Sequence, residues 1–414
     1  MSAYLPTKAL LLAVQADPAP AIAILKQLNP EKVCFFLKES CKPVVESDIH
    51  PALSQMPRYW DWILTSDTTS FPTCHKVIAK ELGPLLTQWN VIPGELTIDL
   101  TSASPAMASA MTLVGFPFST QILFIPSDQA QESSPQSSSL SDHSENPWDE
   151  EALRIRQEAC HAFNQGWHET SAHTFRTLEH RVSGGSKPFY RALMDIALGY
   201  GLWEQFQYRP AWEKLKSGIK ALELASVWGG PPGMERIISS LKDNLQFLES
   251  IVLDPKDIKC SISLDLLAWA KRRGDRGRDL EMATRVLVRG LEATIQYQLS
   301  HQHQLKSWDI AIEQLPSNLQ ETCRASCLNE IDGKYRLPLL AQFQTLAELG
   351  DPIGLRFRTE WPKMKSLFDA ADHAVLGHGF ESLKAERFHQ LFELTMKLTG
   401  TTASDLPTFP SLKF

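Results

Sequence analysis

The first 126 residues alternate short apolar runs with segments of helical spacing. The apolar runs lie at residues 8–14, 32–37, 61–64, 96–100 and 121–125. Helical spacing fills residues 20–28, 73–89 and 104–113. Runs of this kind predict strands buried on both faces. Because strands that alternate with helices form a mostly parallel sheet covered on both sides, we predict an α/β, Rossmann-like domain at residues 1–126.

Small polar residues follow three of the predicted strands. Ligands of open α/β sheets bind at the carboxyl ends of the strands. We therefore predict that these loop residues bind a ligand: Gln15, Ala16, Thr65, Ser66, Asp67, Thr101, Ser102 and Ser104. Two of the loops lead directly into helices, whose first N–H groups attract phosphate. Helix capping uses the same residue types, so both interpretations stand at this stage.

Residues 127–145 are rich in Ser, Gln, Asp and Glu. Such a segment cannot bury enough apolar surface to order itself, so we predict a flexible linker. From Asn146, a predicted helix cap, the spacing is helical. Helices are predicted over 163–181, 189–206, 211–228, 234–252, 264–273 and 280–299. We expect an all-α connecting domain at 146–255 and a second all-α domain at 256–414.

A histidine-containing stretch near the C-terminus also shows helical spacing. Its apolar positions recur at three- and four-residue steps: Leu367, Phe368, Ala371, Ala374 and Val375. We predict a helix that continues to His378 and ends there, because Gly377 and Gly379 flank it. The carbonyl-rich end of a helix favours a protonated imidazole, which suits proton donation. The alternative is a histidine that only caps the helix.

The net charge of −7 argues against nonspecific binding of nucleic acid over the whole surface. A local basic cluster surrounds Arg272 and Arg273, with Lys271, Arg276 and Arg278 nearby. These two arginines are predicted to bind RNA phosphates. Three acidic residues interrupt the cluster, so an ordinary solvated turn is the alternative.

Seven scattered cysteines without CxxC pairs fit reduced thiols better than a disulfide framework. Cys323 and Cys327 lack the further ligands of a zinc site, so no metal is predicted. The apolar run at residues 9–14 is too short to span a bilayer, and no signal peptide is evident. We expect a cytoplasmic protein without a membrane segment.

The first domain resembles the CARF domain, the cyclic-oligoadenylate sensor of type III CRISPR ancillary proteins. The resemblance rests on the opening strand with its Pro18-Ala-Pro20 turn, on Pro30-Glu-Lys-Val-Cys-Phe-Phe36, and on Asp99, Thr101 and Met107 after the fourth strand. It implies cyclic oligoadenylate as the ligand, with Met107 among the residues that bind it. Ser102-Ala-Ser-Pro105 replaces the Gly-Gly-Thr-Lys usual in that family, which removes a phosphate-binding charge.

The end of the chain resembles the HEPN ribonuclease motif, an arginine, a polar residue, several apolar residues and a histidine. Leu376-Gly-His378-Gly-Phe380 carries the likeness. In that family the arginine neutralises the scissile phosphate and the histidine moves a proton, without a metal. The resemblance places the polar residue at Asp372 and the arginine at Ala371, so the histidine is present and the arginine is not. Losing one stabilising donor costs roughly 10²–10³ in rate.

Segments around Asn146 and Tyr200 resemble the middle region of the same proteins, so the likeness spans nearly the whole chain. It implies a homodimeric CARF–HEPN protein of antiviral defence that needs no cofactor. We expect a sensor of cyclic oligoadenylate with impaired or lost ribonuclease activity. The alternative is an active single-stranded RNA endonuclease that uses His378, with His373 or the Arg272 region in place of the arginine. A third hypothesis is that the sheet domain cleaves the cyclic ligand, with Ser102, Ser104 and Asp67 as the candidate residues.

Overall fold

The computed structural model of the protein describes residues 7–124, 146–227, 231, 233–253, 259–277 and 279–414. The predicted linker at 127–145 lies outside the described residues, as does Arg278. By their contacts the residues form two compact units. The first comprises Met1–Ala197, Lys220–Pro232 and Leu412–Phe414, and the second Leu198–Ile219 and Gly233–Ser411. This division differs from the predicted domain boundaries, which stay a prediction.

The first unit contains a parallel sheet of five strands in the order β3-β2-β1-β4-β5. The strands are β1 (Ala9–Val14), β2 (Lys32–Lys38), β3 (Tyr59–Thr65), β4 (Leu96–Asp99) and β5 (Ser119–Leu123). All six residues of β1 are buried because the strand lies between β2 and β4. The predicted α/β fold is confirmed, and each predicted strand lies within a few residues of an observed one.

Apolar layers cover the two faces of this sheet. On one face Leu11 and Ala13 pack with residues of α2 (Phe71–Gln88) and α3 (Pro105–Gly115). On the other face Leu10 and Leu12 pack with residues of α1 (Ala19–Leu28). Because successive side chains of a strand point to opposite faces, one apolar run supplies both layers.

The rest of the described chain is mainly helical, as predicted. The helices are α4 (Pro147–Asn164), α5 (His168–Arg181), α6 (Lys187–Glu204), α7 (Tyr208–Val227), α8 (Met234–Val252), α9 (Cys260–Asp275), α10 (Leu280–His303), α11 (Ser317–Ser326), α12 (Leu339–Glu348), α13 (Pro352–Asp372) and α14 (Ala385–Thr399). Asn146 caps α4 by accepting a hydrogen bond from the Trp148 N–H. The helix predicted over 163–181 is interrupted near Gly166, whose φ is +78°.

The core of the second unit is built around the pair α9 and α10. Leu267 of α9 and Leu287, Leu291 and Ile295 of α10 are fully buried in it. The helices approach closely at Gly290, where an added Cβ would lie 3.0 Å from a methyl carbon of Leu267. None of the described helices is both long and apolar enough to cross a membrane.

Candidate functional site

The loops at the carboxyl edge of the sheet are joined to one another by hydrogen bonds. The Gln15 side chain, after β1, donates to the Ser102 carbonyl, after β4, at 2.5 Å. The Ser104 hydroxyl donates to the carbonyl of Thr68, after β3. The structure therefore brings the three predicted loops together at one edge. The Ser104 hydroxyl also accepts from the Met107 N–H and caps α3, so both of its hydrogen-bonding roles are structural.

Two residues predicted to bind the ligand are buried instead. Thr65 is 1% exposed, and its hydroxyl donates to the Asp67 carbonyl at 3.1 Å. Met107 is 0% exposed and belongs to the core beneath the sheet. This burial corrects the prediction for both side chains, because neither is accessible to a ligand at this edge. Ala16, Ser66 and Asp67 are exposed there.

Asp99 ends β4 and is completely buried. One carboxylate oxygen accepts from the Thr101 N–H at 3.2 Å and from the Thr101 hydroxyl at 2.6 Å. Among the described residues, the other oxygen has no hydrogen-bond partner, and neither has the buried hydroxyl of Ser102. Burial raises the pKa of the Asp99 carboxyl in spite of the bonds from Thr101. This loop therefore holds two buried polar groups, which a bound molecule could satisfy only if the loop moved to expose them.

Sequence reasoning missed a cation at this edge. Lys38 is the exposed last residue of β2 and lies opposite Thr65 of β3. The pKa of the neighbouring Asp67 carboxyl is lowered, chiefly by the Thr69 N–H and hydroxyl, with a smaller contribution from the charge of Lys38. Lys38 places a positive charge at the strand ends even though the family's loop lysine is absent. The sequence could have indicated this cation, because Lys38 directly follows the strand predicted at residues 32–37.

The His378 loop, residues 373–381, follows α13 in the second unit. The prediction that this helix continues to His378 is wrong, because α13 ends at Asp372. The chain then folds back: the Glu381 N–H donates to the His373 carbonyl at 3.1 Å, and the Val375 N–H donates to the Glu381 carbonyl at 3.2 Å. The His378 N–H donates to the Asp372 carbonyl at 2.6 Å. His378 is thus exposed on a loop fixed to the end of the helix.

Glycine permits this tight return. A Cβ at Gly379 would lie 2.1 Å from the His373 carbonyl oxygen, and a Cβ at Gly377 would lie 2.3 Å from the Asp372 carbonyl oxygen. Both distances are far below van der Waals contact, so the two glycines that suggested a helix end instead allow the loop to pack against it.

An arginine from another helix reaches the end of α13. Arg285, on α10, donates from Nη2 to the Ala371 carbonyl at 3.1 Å. Its Nη1 lies 3.5 Å from a carboxylate oxygen of Asp372. A Cβ at Gly377, the neighbour of His378, would lie 2.5 Å from Nη2. The guanidinium therefore contacts the His378 loop, although no motif in the sequence connects Arg285 with that loop.

The other predicted catalytic positions show different environments. Ala371 is 5% exposed, so its methyl group faces the core. Asp372 is exposed and pairs with Arg285. His373 is exposed, and its Nδ1 donates to the Asp369 carbonyl one turn earlier at 2.7 Å. That bond directs the ring back along α13.

Arg272 and Arg273 are engaged in ion pairs. Arg272 is 11% exposed in its side chain, donates to Glu204 at 2.8 Å, and lies over the ring of Phe409 at 3.9 Å. Arg273 donates to the other oxygen of Glu204 at 3.3 Å and lies over Trp269. We therefore correct the prediction that Arg272 binds RNA phosphates, because this side chain holds α9 against Glu204 instead of facing solvent. The Arg273 side chain is 34% exposed, so its RNA-binding role stays a prediction.

The surroundings of the His378 loop combine acidic and apolar groups. A cavity of about 470 Å³ beside it is lined in part by Asp279 and Glu281. A Glu281 carboxylate oxygen accepts from the Leu376 N–H at 2.6 Å. Val375, Leu376 and Phe380 expose large apolar side chains, and Phe380 is 97% exposed. Among the described residues, no group of three or more His, Cys, Asp or Glu side chains could hold a metal ion.

Two family models match the chain. The model of the Csm6 HEPN domain matches residues 255–402, and that of the Csm6 6H domain matches residues 152–248. Together the matched ranges cover more than half of the 414 residues. The chain belongs to the CARF–HEPN family of type III CRISPR ancillary proteins. Arg285 and the His378 loop both lie in the range matched by the HEPN domain.

Solved structures with the same fold exist. One is Enterococcus italicus Csm6 bound to cyclic hexa-2′-fluoro-hexa-dAMP, with 14% sequence identity and a TM-score of 0.58. The similarity covers 97% of this CARF–HEPN chain and 95% of the other. At this identity the likeness shows a shared fold, and it extends to the sheet, which precedes both family-model matches. The comparison with curated proteins gave no match.

Proposed function

We propose that this CARF–HEPN protein is a cyclic-oligoadenylate sensor of type III antiviral defence that keeps an impaired, metal-independent ribonuclease activity. The proposal is carried by one observation: His378 is exposed, while Ala371, at the motif's arginine position, is buried. The histidine is fixed at the end of α13, whereas the position expected for the arginine holds a methyl group that faces the core.

In the proposed reaction the ribose 2′-hydroxyl of single-stranded RNA attacks the adjacent phosphorus atom, and the bond from phosphorus to the 5′-oxygen breaks. The 2′-hydroxyl loses a proton and the departing 5′-oxygen gains one. His378 moves a proton in this exchange. Asp372, at the polar position of the motif, lies next to the Arg285 guanidinium.

Two features of the site explain why the activity would be impaired. No arginine stands at the motif position on α13, and Arg285, which reaches this helix end from α10, is paired with Asp372. Losing one stabilising donor costs roughly 10²–10³ in rate. In addition, the carboxylates of Asp279, Glu281 and Asp372 surround the loop and oppose the approach of RNA phosphates.

For the ligand, we propose that cyclic oligoadenylate binds at the carboxyl edge of the sheet. The exposed charge of Lys38 at the strand ends supports this site. Gln15, Ala16, Ser66, Asp67 and Thr101 complete its rim as backbone and side-chain contacts. The structural relative bound to a cyclic hexanucleotide supports the class of ligand. The ligand would act by favouring one arrangement of a cytoplasmic homodimer.

The proposal is tested by incubating the full chain with labelled single-stranded RNA in EDTA, with and without cyclic tetra- or hexa-adenylate. We expect slow cleavage that increases with the ligand and is lost in His378→Ala. His389→Ala is the matched control, because His389 is an exposed histidine on α14. Cleavage that survives in His378→Ala would contradict the proposed role.

A second candidate function is a sensor without any nuclease activity, and the pairing of Arg285 with Asp372 favours it. In that case calorimetric titration would show binding of cyclic oligoadenylate while no His378-dependent cleavage is detected.

A further inference from the structure

Arg285 is separated from Ala371 by 86 residues in the sequence but reaches the end of α13. Its guanidinium has two identified contacts there, with the Ala371 carbonyl and with the Asp372 carboxylate. A guanidinium has five N–H donors, and this side chain is 36% exposed. It therefore presents donors to solvent beside the loop that carries His378.

We propose that Arg285 is the phosphate-binding cation of the HEPN cleft, a role that rests on the proposed ribonuclease function. A guanidinium is always charged and pairs with phosphate oxygens through two parallel N–H groups. The Ala371 carbonyl fixes one end of this guanidinium, so its orientation is set before RNA arrives. A guanidinium thus reaches the end of α13 from α10, whereas the motif would carry its arginine on α13 itself.

The ion pair between Asp372 and Arg285 gives the proposal a specific consequence for RNA binding. Its carboxylate lies 3.5 Å from Nη1 and is 59% exposed, so the ion pair is loose and open to water. An RNA phosphate would have to compete with this carboxylate for the same guanidinium. Removing the Asp372 charge should then strengthen RNA binding, whereas removing Arg285 should weaken it.

A purely structural role for Arg285 is the competing explanation. An arginine near a helix C-terminus can bond the last carbonyls and stabilise the helix. That role would change the melting temperature in Arg285→Ala but would give no gain of RNA affinity in Asp372→Asn. The two roles therefore differ in a measurement that does not depend on catalysis.

The experiment measures binding of labelled single-stranded RNA by fluorescence anisotropy, with the full chain carrying His378→Ala so that no RNA is cleaved. We expect Arg285→Ala to weaken binding about tenfold, and Asp372→Asn to strengthen it about threefold. Arg285→Lys, which keeps the charge but loses the planar fork, should fall between Arg285→Ala and the parent. Arg289→Ala is the matched control, since Arg289 lies one turn further along α10 and pairs with Glu292.

Equal RNA affinities in the Arg285→Ala and Arg289→Ala proteins would overturn the inference. So would an unchanged or weaker affinity in Asp372→Asn, which decides the question even where Arg285→Ala is unstable. If the wild-type chain does not cleave RNA, the proposed function fails while the binding measurement still judges Arg285. If it cleaves, Arg285→Ala should slow cleavage by roughly 10²–10³.

Discussion

Asp265 is a carboxylate in the interior of the second unit. It is 0% exposed, accepts hydrogen bonds from the Trp203 indole N–H and the Tyr208 hydroxyl at 2.9 Å each, and lies 4.0 Å from Arg272. Burial raises the pKa of this carboxyl to about 6, although Arg272 and the two donors oppose the shift. These bonds tie α6, α7 and α9 together through one ionisable group.

The raised pKa of Asp265 predicts a pH-dependent contribution to stability. The folded protein holds the proton to a higher pH than the unfolded chain, so the contribution of this group falls as pH rises from about 4 to about 6. The change is on the order of 3 kcal/mol. In Asp265→Asn the group cannot ionise and this slope should vanish.

The measurement is urea unfolding of both proteins at several pH values between 4 and 7, followed by circular dichroism. Carboxyl groups that do not interact with Asp265 contribute equally to both proteins and cancel in the difference. Parallel pH profiles for the two proteins would contradict the prediction.

Individual side-chain environments were the hardest feature to predict from sequence. Thr65 and Met107 stand beside the expected ligand edge in the chain, but their side chains turn into the interior. The neighbouring basic residues predict a surface cation at Arg272, whereas Glu204, from a helix distant in the sequence, pairs with it in the interior. The position of Arg285 near His378 could not be predicted from the sequence, since only the packing of α10 against α13 brings the two residues together.

At the scale of elements, the His378 loop is held by backbone hydrogen bonds to the end of α13. Strand positions followed from the sequence because each strand is a continuous apolar run between turn residues. The end of α13 could not be predicted in this way, because the helical spacing of apolar residues continues through Ala374. This alanine is also buried, although it lies in the loop. In the sequence pattern, a buried alanine in a loop cannot be distinguished from a buried alanine in a helix.

Gly379→Ala should detach the loop from the helix end. An added Cβ would lie 2.1 Å from the His373 carbonyl oxygen and 2.5 Å from its carbonyl carbon, and backbone atoms cannot move aside as a flexible side chain can. We expect faster hydrogen exchange at the amides of Val375, His378 and Glu381, and at least a tenfold loss of any His378-dependent cleavage, roughly 1.4 kcal/mol of transition-state stabilisation.

Gly184→Ala serves as the control for this prediction, since its Cβ would meet no atom within 4 Å. Unchanged exchange at those three amides in Gly379→Ala would show that the loop tolerates a side chain there.

At the scale of the whole molecule, an apolar surface beside His378 has no partner among the described residues. Phe380 projects almost entirely into solvent, with Val375 and Leu376 close to it in the chain. Exposed apolar clusters of this kind mark interaction sites. We take the partner to be a second copy of the chain, in keeping with the homodimer that the family resemblance implies.

Phe380→Glu should therefore weaken the proposed homodimer. A carboxylate at this position would be buried at the interface without a partner, which opposes association. We expect the dissociation constant of the dimer, measured by sedimentation equilibrium, to rise at least about tenfold. Leu355→Glu is the control, because Leu355 is also exposed but lies near the start of α13, roughly 25 Å from its end. Identical self-association of both variants would exclude Phe380 from the interface.

The inward-facing methyl group of Ala371 constrains how a nuclease of this kind could evolve. An arginine at that position would force a charge into the core, so one substitution at residue 371 does not complete a contiguous motif. The cation proposed on α10 would let the histidine and its electrostatic partner change independently. Genome surveys that recognise active members by an unbroken linear signature would classify such a protein as a pseudoenzyme.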